Sequence, residues 1–456
     1  MGDYLHTLRN RLPFILLLSS SIVIFAAFFL FGELSLQLRD DSLEYILIAK
    51  NFSSKSIFSG NRTFGYPLLL KCTQLFSSDL TLLPMVQFML HAGAVYLFYL
   101  GLRVFGFNSW IAFLAALPLL TLTLFKTHVG QVMADLPATS LSIATIGILF
   151  IVMKKPRNWL VWMLLMFSMT FTYQIRPTML YLVGFVPFFG CFLLFEIHGK
   201  SFKKNLRPII YLLLISLLPF LLFNILRYRY VKETGLSSFD GYSLAGIALH
   251  MLDENEIKRM PAHLSGIAKK MLERKEKMKR ARYNSDYEQM QEEYNLNIWL
   301  VAIPVLAEEF GNYNFVEYND VLREMSYTIL WDNKYRYLKY VALSFKEGVL
   351  KSLGLREKYF WGMFCLVSYA CYVLTSLLKK DNVAANPAPS SSGPIYLLAV
   401  LAIVNYCFGI LPFLVYHPPM LRYIASIDMY FVSLFGASSI YFLLKSRQIL
   451  FFKSQT

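Results

Sequence analysis

Long apolar runs recur along this chain, and they constrain its fold more than any other feature. A helix of about 20 apolar residues crosses the ~30 Å hydrocarbon core of a bilayer. About ten runs reach or approach that length, near residues 13–32, 82–103, 109–126, 135–153, 158–173, 177–196, 208–226, 359–378, 395–415 and 423–444. Because lipid offers no hydrogen-bond partner to an open sheet edge, the runs predict an all-α polytopic membrane protein.

Basic residues concentrate in the short connections between these runs. A formal charge of +15 would suggest that a soluble protein binds nucleic acid. Here the basic residues lie in short loops, where they set the orientation of the chain in the membrane, so we exclude nucleic acid as a partner. We predict that both termini are cytoplasmic and that the first run is an uncleaved signal anchor. The residues on the cytoplasmic side are then Arg9, Arg11, Arg103, Lys154, Lys155, Arg157, Lys200, Lys203, Lys204, Arg207, Lys379, Lys380, Lys445 and Arg447.

The runs divide the chain into three parts. Residues 1–226 form an N-terminal membrane module whose first external loop is 33–81, and residues 359–456 supply the C-terminal membrane helices. Residues 227–358 between them are polar, charged and helical in pattern, and so predict an external region. The basic run from Lys269 to Arg282 within it is either a solvated helix face or a contact for anionic headgroups or an anionic acceptor. Residues 381–393 predict a loose cytoplasmic linker.

Two adjacent carboxylates, Asp40 and Asp41, follow the first run, and charges at a membrane rim are costly to retain without a use. The apolar spacing after them predicts a helix along the membrane that buries Ile48 and Phe52. Asp41 or Ser42 would then cap that helix. The functional alternative makes Asp41 a general base or a metal ligand, with Asp40 raising its pKa through like-charge repulsion.

A second acid, Asp135, begins the fourth run on the same predicted side of the membrane. Asp135 followed by Pro137 is typical of a helix start. Lys126 and His128 lie just before it. Two carboxylates from different helices that converge on one cavity would form a site, so Asp41, Asp135 and His128 are the candidate ligands of a divalent metal.

Two arginines occupy comparable positions at the ends of runs. Arg176 precedes Pro177 at the junction of the fifth and sixth runs, and Arg422 follows His417 before the last run. Each arginine either snorkels to the headgroups or binds the phosphate of a lipid through its planar guanidinium. Two arginines at one depth favour the phosphate.

Several motifs follow one another along the chain in a fixed order. In the first loop they are the acidic pair, Tyr45, Ile48-Ala49, Asn51, Arg62 and Gly65-Tyr66-Pro67. Further along they are Ala134-Asp135-Leu136-Pro137, Arg176-Pro177, Leu226-Arg227 through Gly241, and Arg422-Tyr423. The series resembles the GT-C glycosyltransferase superfamily, in the bacterial branch related to protein O-mannosyltransferases and lipid A aminoarabinose transferases, and the resemblance spans the whole chain.

The resemblance implies a GT-C fold and an inverting glycosyltransferase of a bacterial inner membrane, with a sugar donor linked to polyprenyl phosphate and a site that faces the periplasm. Asp41 matches the catalytic acid by its distance to Ile48-Ala49 and would be the base. Asp40 and Asp135 are the further catalytic candidates. The donor phosphate would be held by Arg176 and Arg422, with Arg62, Lys126 and His417 as lesser candidates. Substrate-binding candidates are Tyr45, Tyr66, Gln174 and Tyr423.

The chain also departs from the better-known relatives. Asp40-Asp41 stands where the O-mannosyltransferases carry Asp-Glu. We also expect no counterpart of the long additional C-terminal domain that several branches carry. The acceptor therefore stays open between lipid, glycan and protein, and no cofactor other than the candidate metal is implied. The alternative functions are a polysaccharide polymerase or ligase and a flippase for lipid-linked sugars.

Overall fold

The structure is a computed structural model that describes residues 2–39, 41–53, 57–58, 62–199, 202–278, 283–311, 314–378 and 393–451. Across these ranges it is helical and contains no strand, only an isolated bridge between Gln37 and Gln131. The all-α prediction is therefore confirmed. Asp40, most of the predicted linker and the end of the basic run lie outside the described residues.

The membrane bundle and the first loop contribute ten helices to the described residues, in this order: α1 (Gly2–Leu30), α2 (Ser42–Lys50), α3 (Gly65–Gln74), α4 (Leu83–Phe105), α5 (Ser109–Ala116), α6 (Thr123–His128), α7 (Asp135–Lys154), α8 (Trp159–Ile175), α9 (Leu182–His198) and α10 (Phe202–Val231). A 3₁₀ turn, Leu117–Thr121, joins α5 to α6, and another, Pro177–Tyr181, precedes α9.

An outer region, residues 232–355, follows α10. Its described helices are α11 (Asp240–Met251), α12 (Glu254–Arg259), α13 (Ala262–Lys277), α14 (Asp286–Leu296), α15 (Ile303–Phe310), α16 (Phe315–Asp332) and α17 (Lys334–Leu353), with a π-helical turn at Asn297–Ala302. The chain returns to the bundle with α18 (Arg356–Leu378), α19 (Gly393–Tyr416), α20 (Leu421–Ile427) and α21 (Tyr430–Phe451).

Eight helices of the described chain are long and apolar enough to cross a membrane. A ninth span results if α20 and α21, which meet at a bend of 48°, count as one. The predicted run at 158–173 forms α8, which has only 17 residues and is a shorter apolar helix. The prediction of about ten equivalent runs therefore needs correction at these two places.

The two parts of the molecule bury separate hydrophobic cores. One core fills the bundle, with Phe98, Phe150 and Phe189 among its fully buried side chains. The other lies inside the outer region and includes Tyr242 and Leu322. Since each part covers its own apolar faces, the boundary between them is free to carry polar residues.

Helices α4 and α7 pack side by side and run in the same direction. A Cβ added to Gly101 would collide with the backbone of Gly147, so the two glycines permit close contact. At one end Lys154 Nζ lies 5.0 Å from the ring centroid of Phe105. At the other end Gln87 Nε2 donates to two carbonyl oxygens of the loop before α7, at 2.9 and 3.0 Å. This packing brings the start of α7 close to the first loop.

Polar contacts stabilise the bend between α20 and α21. Lys358 Nζ lies 2.5 Å from Asp428 Oδ2, and both side chains are buried. Asn405 Nδ2 donates to the carbonyl oxygen of Ile427 at 2.6 Å. A break in an apolar helix leaves carbonyl groups without helical partners, and Asn405 replaces one such partner, while Lys358 balances the charge of Asp428.

Candidate functional site

A cavity of about 940 Å³ lies where the bundle meets the outer region. Its walls come from the first loop, the start of α7, the turn after α8, α11, α14, α16 and the segment from α19 to α20. Residues that are distant in sequence therefore meet here. The predicted site residues among those that line it are Asp41, Tyr45, Arg62, Asp135, Arg176, His417, Arg422 and Tyr423.

Asp41 is held by an arginine at the entrance to α2. Its Oδ1 accepts a hydrogen bond from Arg62 Nη2 at 2.8 Å, and Arg62 Nε donates to Glu44 Oε2 at 2.7 Å. Asp41 takes the backbone N-cap position, but its side chain does not cap the helix. The capping interpretation is therefore wrong for the carboxylate, which is 36% exposed and lines the cavity.

The buried face of α2 also differs from the prediction. Ser42, Tyr45 and Ala49 are buried, whereas Ile48 and Phe52 are only partly buried. Ser42 Oγ accepts from the Arg39 amide at 2.7 Å and donates to the carbonyl of the loop before α7 at 3.0 Å. The helix packs against protein on this face, so small and polar residues fit where an apolar stripe was expected.

Asp135 and Arg176 form a buried ion pair between Oδ1 and Nη1. Their side chains are 4% and 10% exposed. Arg176 Cζ also lies 4.7 Å from the ring centroid of Tyr423. The guanidinium therefore does not snorkel out of the protein, and Asp135 both begins α7 and balances this arginine.

Arg422 also contacts Tyr423, but its environment differs from that of Arg176. Its Cζ is 4.9 Å from the Tyr423 ring centroid, and its Nη2 donates to the Tyr423 hydroxyl at 3.1 Å. Its Nε has no hydrogen-bond partner, and no carboxylate of the described residues lies within ion-pair distance. Arg422 therefore presents a cation to the cavity that no direct contact neutralises.

His417 is neutral in this environment. Burial, followed by the nearby charges of Arg176 and Arg422, lowers the pKa of His417 to about 3. Its Nδ1 lies 2.7 Å from the Tyr294 hydroxyl and its Nε2 lies 3.3 Å from Ser243 Oγ. An uncharged imidazole adds no positive charge to a phosphate site, so His417 could offer a phosphate only a hydrogen bond, and its role as a lesser candidate stays a prediction.

Tyr45 lies between the two ion pairs of the cavity. Burial raises the pKa of the Tyr45 phenol, while the charges of Arg62 and Arg176 oppose the shift. The hydroxyl therefore keeps its proton at neutral pH and can act as a donor.

Four predicted residues do not line the cavity. Lys126 is 64% exposed and lies 3.8 Å from Glu33. His128 Nδ1 contacts the hydroxyl of the residue before it at 2.7 Å. Gln174 is buried, and Tyr66 packs edge-on against Tyr45 at 4.9 Å. The structure therefore does not bring these four side chains to the cavity lining, and their roles stay predictions.

The metal hypothesis also needs correction. Asp41 and Asp135 line the same cavity, but His128 does not join them. Within the described ranges no group of three His, Cys, Asp or Glu side chains is arranged to hold a metal ion. The residues present do not fit the proposed ligand set.

Sequence reasoning missed an ion pair on the outer wall. Asp240 accepts from Arg323 Nε at 2.7 Å and Nη2 at 2.9 Å, and from Asn319 Nδ2 at 3.0 Å. Although burial opposes ionisation, these hydrogen bonds lower the pKa of Asp240. The one signal in the sequence was Gly241, which directly follows Asp240. The structure explains this glycine, because a Cβ there would collide with the backbone carbonyl of Asn319, the residue whose side chain also bonds to Asp240.

One end of the cavity is apolar. Gly184 of α9 and Phe408, Leu411 and Val415 of α19 line it, and Leu411 is 56% exposed. A Cβ on Gly184 would lie 3.2 Å from the Phe408 ring. The cavity therefore continues from charged walls to the apolar outer face of two bundle helices.

The cavity thus combines a partly exposed carboxylate, an arginine without a carboxylate partner and an apolar end. Such a set can accept a proton, bind an anion and take up an apolar chain. Comparisons with known proteins add nothing to this description, because no family model, no curated protein and no solved structure matches the chain.

Proposed function

We propose that this chain is a membrane glycosyltransferase that moves a sugar from a polyprenyl-phosphate donor to an acceptor hydroxyl on the non-cytoplasmic side of a bacterial inner membrane. The observation that carries the proposal is that Asp41, Asp135, Arg176 and Arg422, from four distant segments, line one cavity. The resemblance to the GT-C superfamily names the same residues.

Asp41 is the proposed base. Among the described hydrogen bonds only its Oδ1 is engaged, by Arg62, so Oδ2 is available to an acceptor hydroxyl. In an inverting transfer the acceptor oxygen bonds to the anomeric carbon while the bond from that carbon to the phosphate oxygen breaks. The hydroxyl proton passes to Asp41, and the electron pair of the broken bond leaves with the polyprenyl phosphate.

Arg422 is the proposed main ligand of that phosphate, since its charge is not neutralised by a carboxylate. Arg176 adds a second guanidinium, oriented by Asp135 and by the Tyr423 ring. A departing phosphate gains negative charge on its bridging oxygen, and preformed cations stabilise that charge without reorganisation. No proton donor to the leaving group is needed.

The apolar end suits the lipid of the donor. The exposed Leu411 and Val415 continue the cavity towards the outer surface of the bundle. An isoprenoid chain could pass between α9 and α19 while its phosphate stays at Arg422. The apolar end favours a donor linked to a lipid over a free, water-soluble donor.

The test incubates the purified chain in nanodiscs with polyprenyl-phosphate sugars labelled in the sugar, together with lipid, glycan and protein fractions of the host envelope. We expect label in one fraction and release of free polyprenyl phosphate. If no donor is consumed, the proposal is wrong.

The same samples separate the alternatives. A flippase would move labelled lipid between the leaflets of a vesicle without consuming it. A polymerase or ligase would consume a sugar linked through a diphosphate and ignore the monophosphate donor.

A further inference from the structure

Aromatic rings form a supported wall on the outer side of the cavity. Phe239 and Trp299 both line it, with ring centroids 6.5 Å apart. Tyr242 stacks behind Phe239 at 5.4 Å, and Phe315 stacks on the same ring at 6.0 Å. Because these rings are fixed from behind, the two lining rings present a preformed surface.

A π-helical turn holds Trp299 in this wall. The turn spans Asn297–Ala302, between α14 and α15. Asn297 Nδ2 donates to the carbonyl oxygen of Gly246 at 3.0 Å, which attaches the turn to α11. Turns of this type are uncommon and occur often at functional sites, and this one leaves Trp299 44% exposed.

Polar groups lie beside the rings. Asp240 directly follows Phe239 and is held by Arg323 through two hydrogen bonds. Arg62 Cζ lies 5.8 Å from the Phe239 ring centroid, and Arg62 is also the partner of Asp41. The aromatic wall is therefore continuous with the proposed base, which makes it the side from which an acceptor hydroxyl would approach.

The charged groups that line this part of the cavity balance one another. Asp41 pairs with Arg62, and Asp240 pairs with Arg323, so these four groups carry no net formal charge. On the wall formed by the start of α7, the turn after α8 and the segment from α19 to α20, Asp135, Arg176 and Arg422 leave one positive charge.

Aromatic faces beside charged hydrogen-bonding groups are what a saccharide requires, since its C–H faces stack on rings while its hydroxyls bond to carboxylates and guanidinium groups. Because the charges beside the rings balance, the subsite offers hydrogen bonds to hydroxyls without requiring a charge on the ligand. We propose that the Phe239–Trp299 wall with Asp240 and Arg323 is the acceptor subsite, and that the acceptor is an uncharged glycan. This inference rests on the proposed function.

The test measures direct binding by calorimetry to the full chain in nanodiscs, without a donor. The probe is the trisaccharide of N-acetylglucosamine, which is neutral at pH 7. We expect it to bind to the unmodified chain. Trp299→Ala should weaken binding of the neutral trisaccharide about tenfold.

Trp331→Ala is the matched control, because Trp331 is 74% exposed and does not line the cavity. We expect it to leave binding unchanged. Equal effects of the two tryptophan variants on binding, or no binding of the trisaccharide, would each overturn the subsite. None of these outcomes depends on whether the donor is consumed, so failure of this inference is distinct from failure of the proposed function.

Discussion

Asp41 Oδ1 accepts a hydrogen bond of 2.8 Å from Arg62 Nη2, so the carboxylate that begins α2 is oriented by a residue from beyond that helix. Arg62 in turn lies over the rings of Tyr45 and Phe239. This contact fixes one carboxylate oxygen and directs the other towards the cavity. The role assigned to Asp41 leads to the first prediction.

Asp41→Asn should reduce sugar transfer by about 10²- to 10⁴-fold, because the amide cannot take the acceptor proton. The measurement is the rate of label transfer at saturating donor. Glu44→Gln is the control, since Glu44 bonds to the same arginine but does not line the cavity. Full activity of Asp41→Asn would remove Asp41 as the base.

Arg422→Gln should lower kcat/KM for the donor about 10- to 100-fold, since a hydrogen bond to a charged group contributes about 1.5–3 kcal/mol. Inhibition by free polyprenyl phosphate should weaken in parallel. Arg207→Gln is a matched control, because Arg207 contacts Tyr211 at 2.9 Å much as Arg422 contacts Tyr423, yet lies away from the cavity. Similar losses in both variants would contradict a phosphate role.

Asp135→Ala should destabilise the protein by about 3–5 kcal/mol, because it leaves the Arg176 guanidinium buried and unpaired. Adding Arg176→Met to Asp135→Ala should restore part of that loss. The measurement is the free energy of unfolding in detergent for both single variants and the double variant. Additive losses in the double variant would mean that the two side chains are not coupled.

Gly101→Ala should destabilise the protein by about 1–3 kcal/mol, because its Cβ would displace the backbone of Gly147 and separate α4 from α7. Gly93→Ala lies on the same helix and meets nothing within 4 Å. That control should be neutral or stabilise by up to about 1 kcal/mol through helix propensity. The measurement is thermal unfolding of the two variants. Equal stabilities of Gly101→Ala and Gly93→Ala would contradict this prediction.

His417 should make stability depend on pH. Its pKa is about 3 in the folded protein and 6.5 in a free imidazole, so between these values the unfolded chain binds the extra proton. Stability should therefore fall as the pH drops from about 6.5, by up to about 1.4 kcal/mol per pH unit. His417→Gln should flatten this dependence in unfolding curves at several pH values, whereas the same change at the exposed His263 should not.

The all-α fold class and the presence of Asp135 and Arg176 at one cavity could be predicted from the sequence, because they depend on local signals. Apolar runs predict helices. Asp135 and Arg176 stand at the ends of such runs, where the sequence changes from apolar to polar. The side chain of Asp41 was also singled out, although its capping alternative was wrong because Arg62 offers a charged partner across space.

The outer wall could not be predicted in the same way. Phe239, Trp299 and Arg323 come from three separate segments of a polar region, and no periodicity connects them. The buried pair of Lys358 and Asp428 left a weak signal, namely an acid inside the last apolar run. The partner of Asp428 is Lys358 of α18. That pairing depends on how α18 packs against the bend, which is known only from the structure.

The two separate hydrophobic cores have a consequence for how such a chain can diversify. Arg176 and Arg422 contact Tyr423 of the bundle core, whereas Phe239 packs against the core of residues 232–355. Substitutions in the second core therefore alter one wall of the cavity and leave the other intact. Under the proposed function, selection could change the acceptor subsite step by step while the arginines proposed to hold the lipid phosphate stay unchanged.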